Sequence, residues 1–178
     1  MGRSLNPGPG SGSVRLVPMP LQIRPALPGD IPVILGFIRG LATYEKLLHT
    51  VEATEEKLAA TLFPSGGHPP AAECVLAHLD GRPAGFALFF STYSTFLAKP
   101  GLYLEDLFVE PDLRGRGIGR ALLLHVAKFA CSRGCGRLEW AVLDWNEPAI
   151  RFYDSIGATK LADWRICRLT GESLFRHA

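Results

Sequence analysis

The sequence predicts a mixed α/β domain whose strands pair antiparallel in the first half and close with a parallel crossover in the second. Three observations predict it. Two apolar runs, residues 74–79 and 84–93, flank Asp80-Gly81, a dipeptide that accepts the positive φ of a tight hairpin turn. A third apolar run, residues 102–109, leads into Arg114-Gly115-Arg116-Gly117-Ile118-Gly119, then an apolar-periodic helix and another short strand. Helical patterns bracket this strand-rich middle, so the helices flank a sheet.

Taken in order, residues 21–25 read as a short strand. Asp30 is placed to cap a helix, with Pro32 in its first turn. Val33, Ile34, Phe37, Ile38 and Leu41 recur at helical spacing and give that helix a buried stripe. Thr54, followed by Glu55 and Glu56, starts a second helix through Leu62 and Phe63, which the proline-rich stretch 64–70 breaks. The hairpin and the strand 102–109 follow, with Pro111 ending the latter. A helix over about 117–133, a strand over 138–143, a short helix over 148–155 and a last strand over 165–169 complete the pattern.

The 178 residues suffice for one domain with a substantial core, placed at residues 21–178. Residues 1–20 are rich in Gly, Pro and Ser without amphipathic period and read as a disordered leader or extension. They lack the apolar core of a secretory signal. They also carry the net charge of +2, through Arg3 and Arg15; the remainder balances 17 basic against 17 acidic residues. That balance argues against a nucleic-acid surface, and no apolar run approaches the roughly 20 residues needed to span a bilayer. Cys74, Cys131, Cys135 and Cys167 form no C-x-x-C pair, and no histidine stands at ligand spacing. They are expected to be reduced, mostly buried thiols of a cytoplasmic protein, with no metal site.

The glycine loop carries the chemistry. Glycines at alternate positions permit positive φ and close backbone approach, and the helix beyond them presents free N–H groups and a partial positive charge. This combination binds phosphate oxygens. A dinucleotide fingerprint would need glycine where Arg120 stands, and a nucleotide-triphosphate loop would need a lysine after Gly119.

The run Val109-Glu110-Pro111-Asp112-Leu113-Arg114-Gly115-Arg116-Gly117-Ile118-Gly119-Arg120-Ala121-Leu122 resembles the GNAT superfamily of N-acetyltransferases, as do Asn146-Glu147-Pro148-Ala149, Phe152-Tyr153 and Gly157-Ala158. Within it the chain is most similar to the diamine (spermidine/spermine) acetyltransferases and their thialysine-acetylating relatives. That likeness rests on Leu41-Ala42-Thr43-Tyr44-Glu45-Lys46, Tyr103-Leu104-Glu105-Asp106 and Val142-Leu143-Asp144-Trp145-Asn146-Glu147-Pro148. The resemblance implies a mostly antiparallel twisted sheet flanked by helices. It also implies acetyl-coenzyme A as co-substrate, with its pyrophosphate on the loop from Arg114 to Arg120, and a homodimer.

It further implies that backbone amides of Leu107, Phe108 and Val109 meet the pantetheine arm, one of them polarising the thioester carbonyl. Asn146, Glu147, Pro148 and Ala149 are implied on the cofactor as well; Asn146 bonds the pantetheine region or caps the short helix, and one side chain can do both. Glu105 is implied as the base that takes the ammonium proton, directly or through water, and Tyr153 as the acid that protonates the departing thiolate. Tyr44 and Glu45 match residues that contact the amine; an aromatic face beside a carboxylate suits an alkylammonium. Asp106 would share that cavity only if a bulge interrupts the strand's alternation, and is otherwise structural. Trp140 shapes the same cleft or fills the core.

The segment from Gly157 to Trp164 is short and holds a single acid, Asp163, where diamine acetyltransferases carry more. A short diamine, a lysine analogue or another primary amine is therefore expected as substrate, transferred to directly in a ternary complex. The alternatives are acetylation of protein amino groups or of an amino-antibiotic, and a non-catalytic coenzyme A sensor.

Overall fold

The computed structural model describes residues 21–176, so the expected leader lies outside the described residues. The chain forms two compact units, one ending at Trp140 and one beginning at Ala141. The first holds β1 (Gln22–Pro25), α1 (Ile31–Tyr44), α2 (Glu55–Leu62), β2 (Glu73–Leu79), β3 (Arg82–Ser94), β4 (Lys99–Val109), α3 (Ile118–Ser132) and β5 (Leu138–Glu139). Its sheet has the order β1-β2-β3-β4-β5, antiparallel through β4 and parallel between β4 and β5.

Local chemistry explains most boundaries. Asp80 and Gly81 take φ of 53° and 78°, the left-handed pair that the β2–β3 turn needs. Thr54 caps α2 by accepting from the Lys57 N–H at 3.3 Å. Asp30 does not cap α1 as expected. Its carboxylate accepts instead from both terminal nitrogens of Arg24, at 2.7 and 2.8 Å, and from the Leu27 N–H at 2.7 Å. The Arg24 guanidinium holds its carboxyl down at about 2, so Asp30 pins the β1–α1 corner.

Two apolar layers cover the sheet. Ile34, Leu35 and Phe37 of α1 and Leu58 and Leu62 of α2 pack with Cys74, Leu76, Phe86, Leu88 and Phe108 on one face. Phe37 stacks on Phe86 with ring centroids 5.6 Å apart. On the other face Phe89 meets Phe129 of α3 edge-on at 5.5 Å, and the Cβ direction of Gly119 points at Val109 Cγ2, 3.6 Å away. Gly40 lets α1 come close: a Cβ there would stand 2.7 Å from Phe108 Cζ.

The bulge on which the fate of Asp106 depends is present. Leu88 pairs with Asp106 but Phe89 pairs with Leu104, leaving Glu105 as an extra residue in β4. Before it, Leu102 and Leu104 share the α3 face with Phe89; after it, Asp106 and Phe108 share the α1 face with Leu88 and Phe86.

Three expectations need correction. The strand expected over 138–143 stops at Glu139: β5 pairs only with Leu102 and Tyr103, and the bulge bends β4 immediately beyond them. Residues 165–169 form no strand, because none of the described strands pairs with them and extended backbone alone makes no ladder. The thiols are not mostly buried: Cys74 is, Cys135 is intermediate, and Cys131 and Cys167 are exposed. The second unit holds α4 (Glu147–Ser155) near the expected position and the short α5 (Glu172–Phe175). Among the described residues no helix is long and apolar enough to cross a membrane.

Candidate active site

Glycine conformation builds an anion cradle at the end of β4. Pro111–Leu113 makes one tight turn, with buried Leu113 anchoring it. Gly115 and Gly117 then take φ of 76° and 79°, and nothing stands within 4 Å of where a Cβ would lie at either. Gly117 leads directly into α3, whose first turn contains no acid. Unpaired N–H groups thus open onto a space bordered by exposed Arg116 and Arg120, with Ile118 buried beneath and Gly119 packed on Val109. These residues fit a pyrophosphate.

The backbone of β4 supplies a second polar surface. The Glu110 N–H donates to the Ala84 carbonyl at 3.0 Å, which sets the alternation of the β3–β4 ladder. Phe108 and Asp106 therefore direct their N–H groups at β3, whereas Leu107 and Val109 direct theirs away from it. Because β5 pairs only as far as Tyr103, that outward side has no strand partner among the described residues. Of the three amides expected to face the pantetheine arm, Leu107 and Val109 are so directed and Phe108 is turned into the sheet.

The side chains after the bulge carry charge. Asp106 stands in one row with Leu88 and Cys74 across three strands. Burial pushes its carboxyl up to about 6, with help from the negative charges of Glu105 and then Glu45. Burial likewise raises Glu45. Glu105 itself is exposed. The bulge thus joins Glu105 and Asp106 in one electrostatic cluster with Glu45, at the C-terminal end of α1. Burial first, then the negative charges of Asp30 and Asp106, push the Cys74 thiol up to about 12, which disqualifies it as a nucleophile.

Tyr44 lies one residue before Glu45, and its ring carries the Arg114 guanidinium 4.6 Å from its centroid. Arg114 is also 5.6 Å from the Phe108 centroid and donates from Nε to the Val109 carbonyl at 3.1 Å. The structure therefore places this loop arginine, expected on the pyrophosphate, against the aromatic face expected to receive the amine. Sequence reasoning did not anticipate the contact, since residues 44 and 114 share no motif. The helical register linking Gly40, packed on Phe108, to Tyr44 one turn later was the available signal.

In the second unit, Asn146 takes the capping role of its two readings, accepting from the Ala149 N–H at 3.4 Å. Glu147 pairs with Arg151 at 3.5 Å and Pro148 occupies the first turn of α4. Tyr153 is half-buried beside Phe152, ring centroids 5.3 Å apart, and burial raises its phenol. That keeps it protonated at neutral pH, as a proton donor must be. Trp140, half-buried at the end of the first unit, follows β5 rather than lying within a strand.

Comparison with known proteins identifies the family. The chain is 37% identical to L-ornithine N5-acetyltransferase of Arabidopsis thaliana, covering 86% of each protein. It is 38% identical to thialysine N-epsilon-acetyltransferase of Bos taurus, over 86% of this chain and 95% of that one. Among solved structures, an integron cassette protein from the mobile metagenome of V. cholerae superposes with a TM-score of 0.72 at 26% identity, over 89% of this chain and 98% of that one. Residues 34–158 match the acetyltransferase (GNAT) family, whose co-substrate is acetyl-coenzyme A, and the chain belongs to that family of N-acetyltransferases.

Proposed function

We propose that this enzyme transfers the acetyl group of acetyl-coenzyme A directly to a primary amine of a small cation, a diamine or an ornithine- or thialysine-like compound. The observation that carries the reading is the electrostatic coupling of Glu45, Glu105 and Asp106, with Tyr44 one residue before Glu45 at the end of α1. An aromatic face next to buried negative charge suits an alkylammonium through cation–π and ionic contacts. The relatives named for ornithine and thialysine act on amines of that size.

Acetyl-coenzyme A, when bound, supplies an activated acyl group on a good leaving thiol. The cradle from Gly115 to Arg120 would hold its pyrophosphate. The outward N–H groups of Leu107 and Val109 would hold the pantetheine arm and polarise the acyl carbonyl. An alkylammonium is not nucleophilic until it loses a proton. Glu105, exposed at the bulge, takes that proton directly or through water. Asp106 and Glu45 hold the remaining positive charge of the substrate. Tyr153 keeps its proton until the departing sulfur needs it. The nitrogen–carbon bond forms as the carbon–sulfur bond breaks, and amide and thiol leave. The raised thiol of Cys74 supports transfer without a covalent acyl-enzyme. A single catalytic domain over residues 21–178, acting as a cytoplasmic homodimer, belongs to the same reading on the strength of the sequence resemblance.

Thiol release from acetyl-coenzyme A, measured across putrescine, spermidine, thialysine, ornithine and aminoglycosides, tests it. Turnover with the small cations and little with aminoglycosides is expected. Tight coenzyme A binding with no turnover on any amine would replace this reading with that of a sensor.

A further inference from the structure

We propose that Arg114 couples the cofactor loop to the amine site by competing with the substrate ammonium for the face of Tyr44. This rests on the small-amine reading above and adds to it a binding order. The observations are geometric. The guanidinium lies 4.6 Å from the Tyr44 ring centroid, where a cation gains most from the ring's negative face. Its Nε is held by the Val109 carbonyl at 3.1 Å, and Phe108 backs it at 5.6 Å. Yet Arg114 is chemically part of the cradle: it immediately precedes Gly115, the first positive-φ residue of the loop. One side chain thus stands at two sites, and it carries the same positive charge as the alkylammonium that the aromatic face was expected to bind.

A pyrophosphate in the cradle offers that guanidinium a stronger partner than an aromatic ring, because charge-assisted hydrogen bonds to phosphate exceed an exposed cation–π contact. Drawing Arg114 toward the loop removes the internal competitor from Tyr44. The amine then binds without displacing it. Linkage makes the effect reciprocal: bound amine favours the coenzyme to the same extent. Losing one exposed cation–π competitor corresponds to about a two- to fivefold change in affinity. Arg114 is here a positioning residue, since it acts through Tyr44.

Calorimetric titration of thialysine into the enzyme, with and without saturating coenzyme A, reads the coupling in the absence of turnover. Coenzyme A should tighten thialysine about two- to fivefold in the wild type. In Arg114→Gln the coenzyme-free affinity should already equal the wild-type affinity with coenzyme A, and further addition should change nothing. Arg116→Gln controls for the loss of one loop charge and should retain the coupling without a gain in coenzyme-free affinity. Tyr44→Leu should weaken the amine and abolish the coupling together. Equal thialysine affinity with and without coenzyme A in the wild type, or undiminished coupling in Arg114→Gln, overturns the proposal while leaving the small-amine reading intact. If Arg114→Gln binds coenzyme A too weakly to saturate, its coenzyme-free affinity decides: a rise supports the proposal and no change overturns it. Failure of thialysine, ornithine and spermidine alike to bind the wild type overturns both.

Discussion

Asp106 and Glu105 are neighbours in sequence with opposite environments, and the difference sets what each can do. The Asp106 carboxyl, pushed up to about 6 by burial and by Glu105 and Glu45, is neutral at mildly acid pH and charged at pH 7. Its folded value lies above the unfolded value near 4, so between the two the folded chain retains a proton that the unfolded chain releases. Its contribution to folding stability accordingly falls as pH rises through that window. Urea midpoints for the wild type should show this decline between about pH 4 and pH 6, and Asp106→Asn should flatten it. Amine binding should respond in the opposite sense, since ionised Asp106 attracts a cation. The KM for the amine should fall as pH rises through about 6, by at most about tenfold per unit, and Asp106→Asn should remove that limb. For the two proton-transfer groups, Glu105→Gln and Tyr153→Phe should each lower kcat by roughly 10²-fold or more. Coenzyme A affinity measured by titration should stay near wild type in both; an unchanged kcat would reject the role of the residue concerned.

At the level of elements, the site depends on how closely α1 lies on the sheet. Phe86, fully buried under Phe37, anchors that contact, and Phe86→Ala should cost about 3–5 kcal/mol in chemical denaturation. Gly40 is subtler. A methyl group there meets Phe108 Cζ at 2.7 Å, so Gly40→Ala must tilt α1 or move the ring. Alanine favours the isolated helix by about 1 kcal/mol, and steric overlap opposes it. Because Tyr44 follows one turn later on the same helix face, the variant should raise amine KM more than it lowers stability. The elements were legible in the sequence wherever the signal was local: Asp80-Gly81 marked the hairpin, Thr54 the start of α2, and the glycine loop the start of α3. They were illegible where pairing decided them. Residues 138–143 and 165–169 have the apolar content of strands, but a strand exists only against a partner, which the sequence does not specify. Of the site, the cradle and the acids could be read from motifs, whereas the stacking of Arg114 on Tyr44 joins residues seventy positions apart and needed coordinates.

Across the whole molecule, the thiols report folding from inside and outside. Cys131 and Cys167 are exposed and should react at once with an aromatic disulfide reagent, while buried Cys74 should react only when the core opens. Coenzyme A at a hundred times its Kd should then slow Cys74 labelling by about a hundredfold if that opening is global, through ligand linkage. A rate at Cys74 indifferent to coenzyme A would mean a local opening of the α2–sheet layer. The extra residue in β4 has a further consequence of parity. Leu102 and Leu104 on one layer, and Asp106 and Phe108 on the other, are all even-numbered; the insertion at Glu105 shifts the phase of alternation, so residues of one parity face opposite layers on its two sides. Replacing Glu105 therefore removes a carboxylate and keeps the bulge, whereas deleting it would set Asp106 directly after Leu104, opposite Leu88 and Phe89, and straighten β4 with every remaining residue still on its own layer.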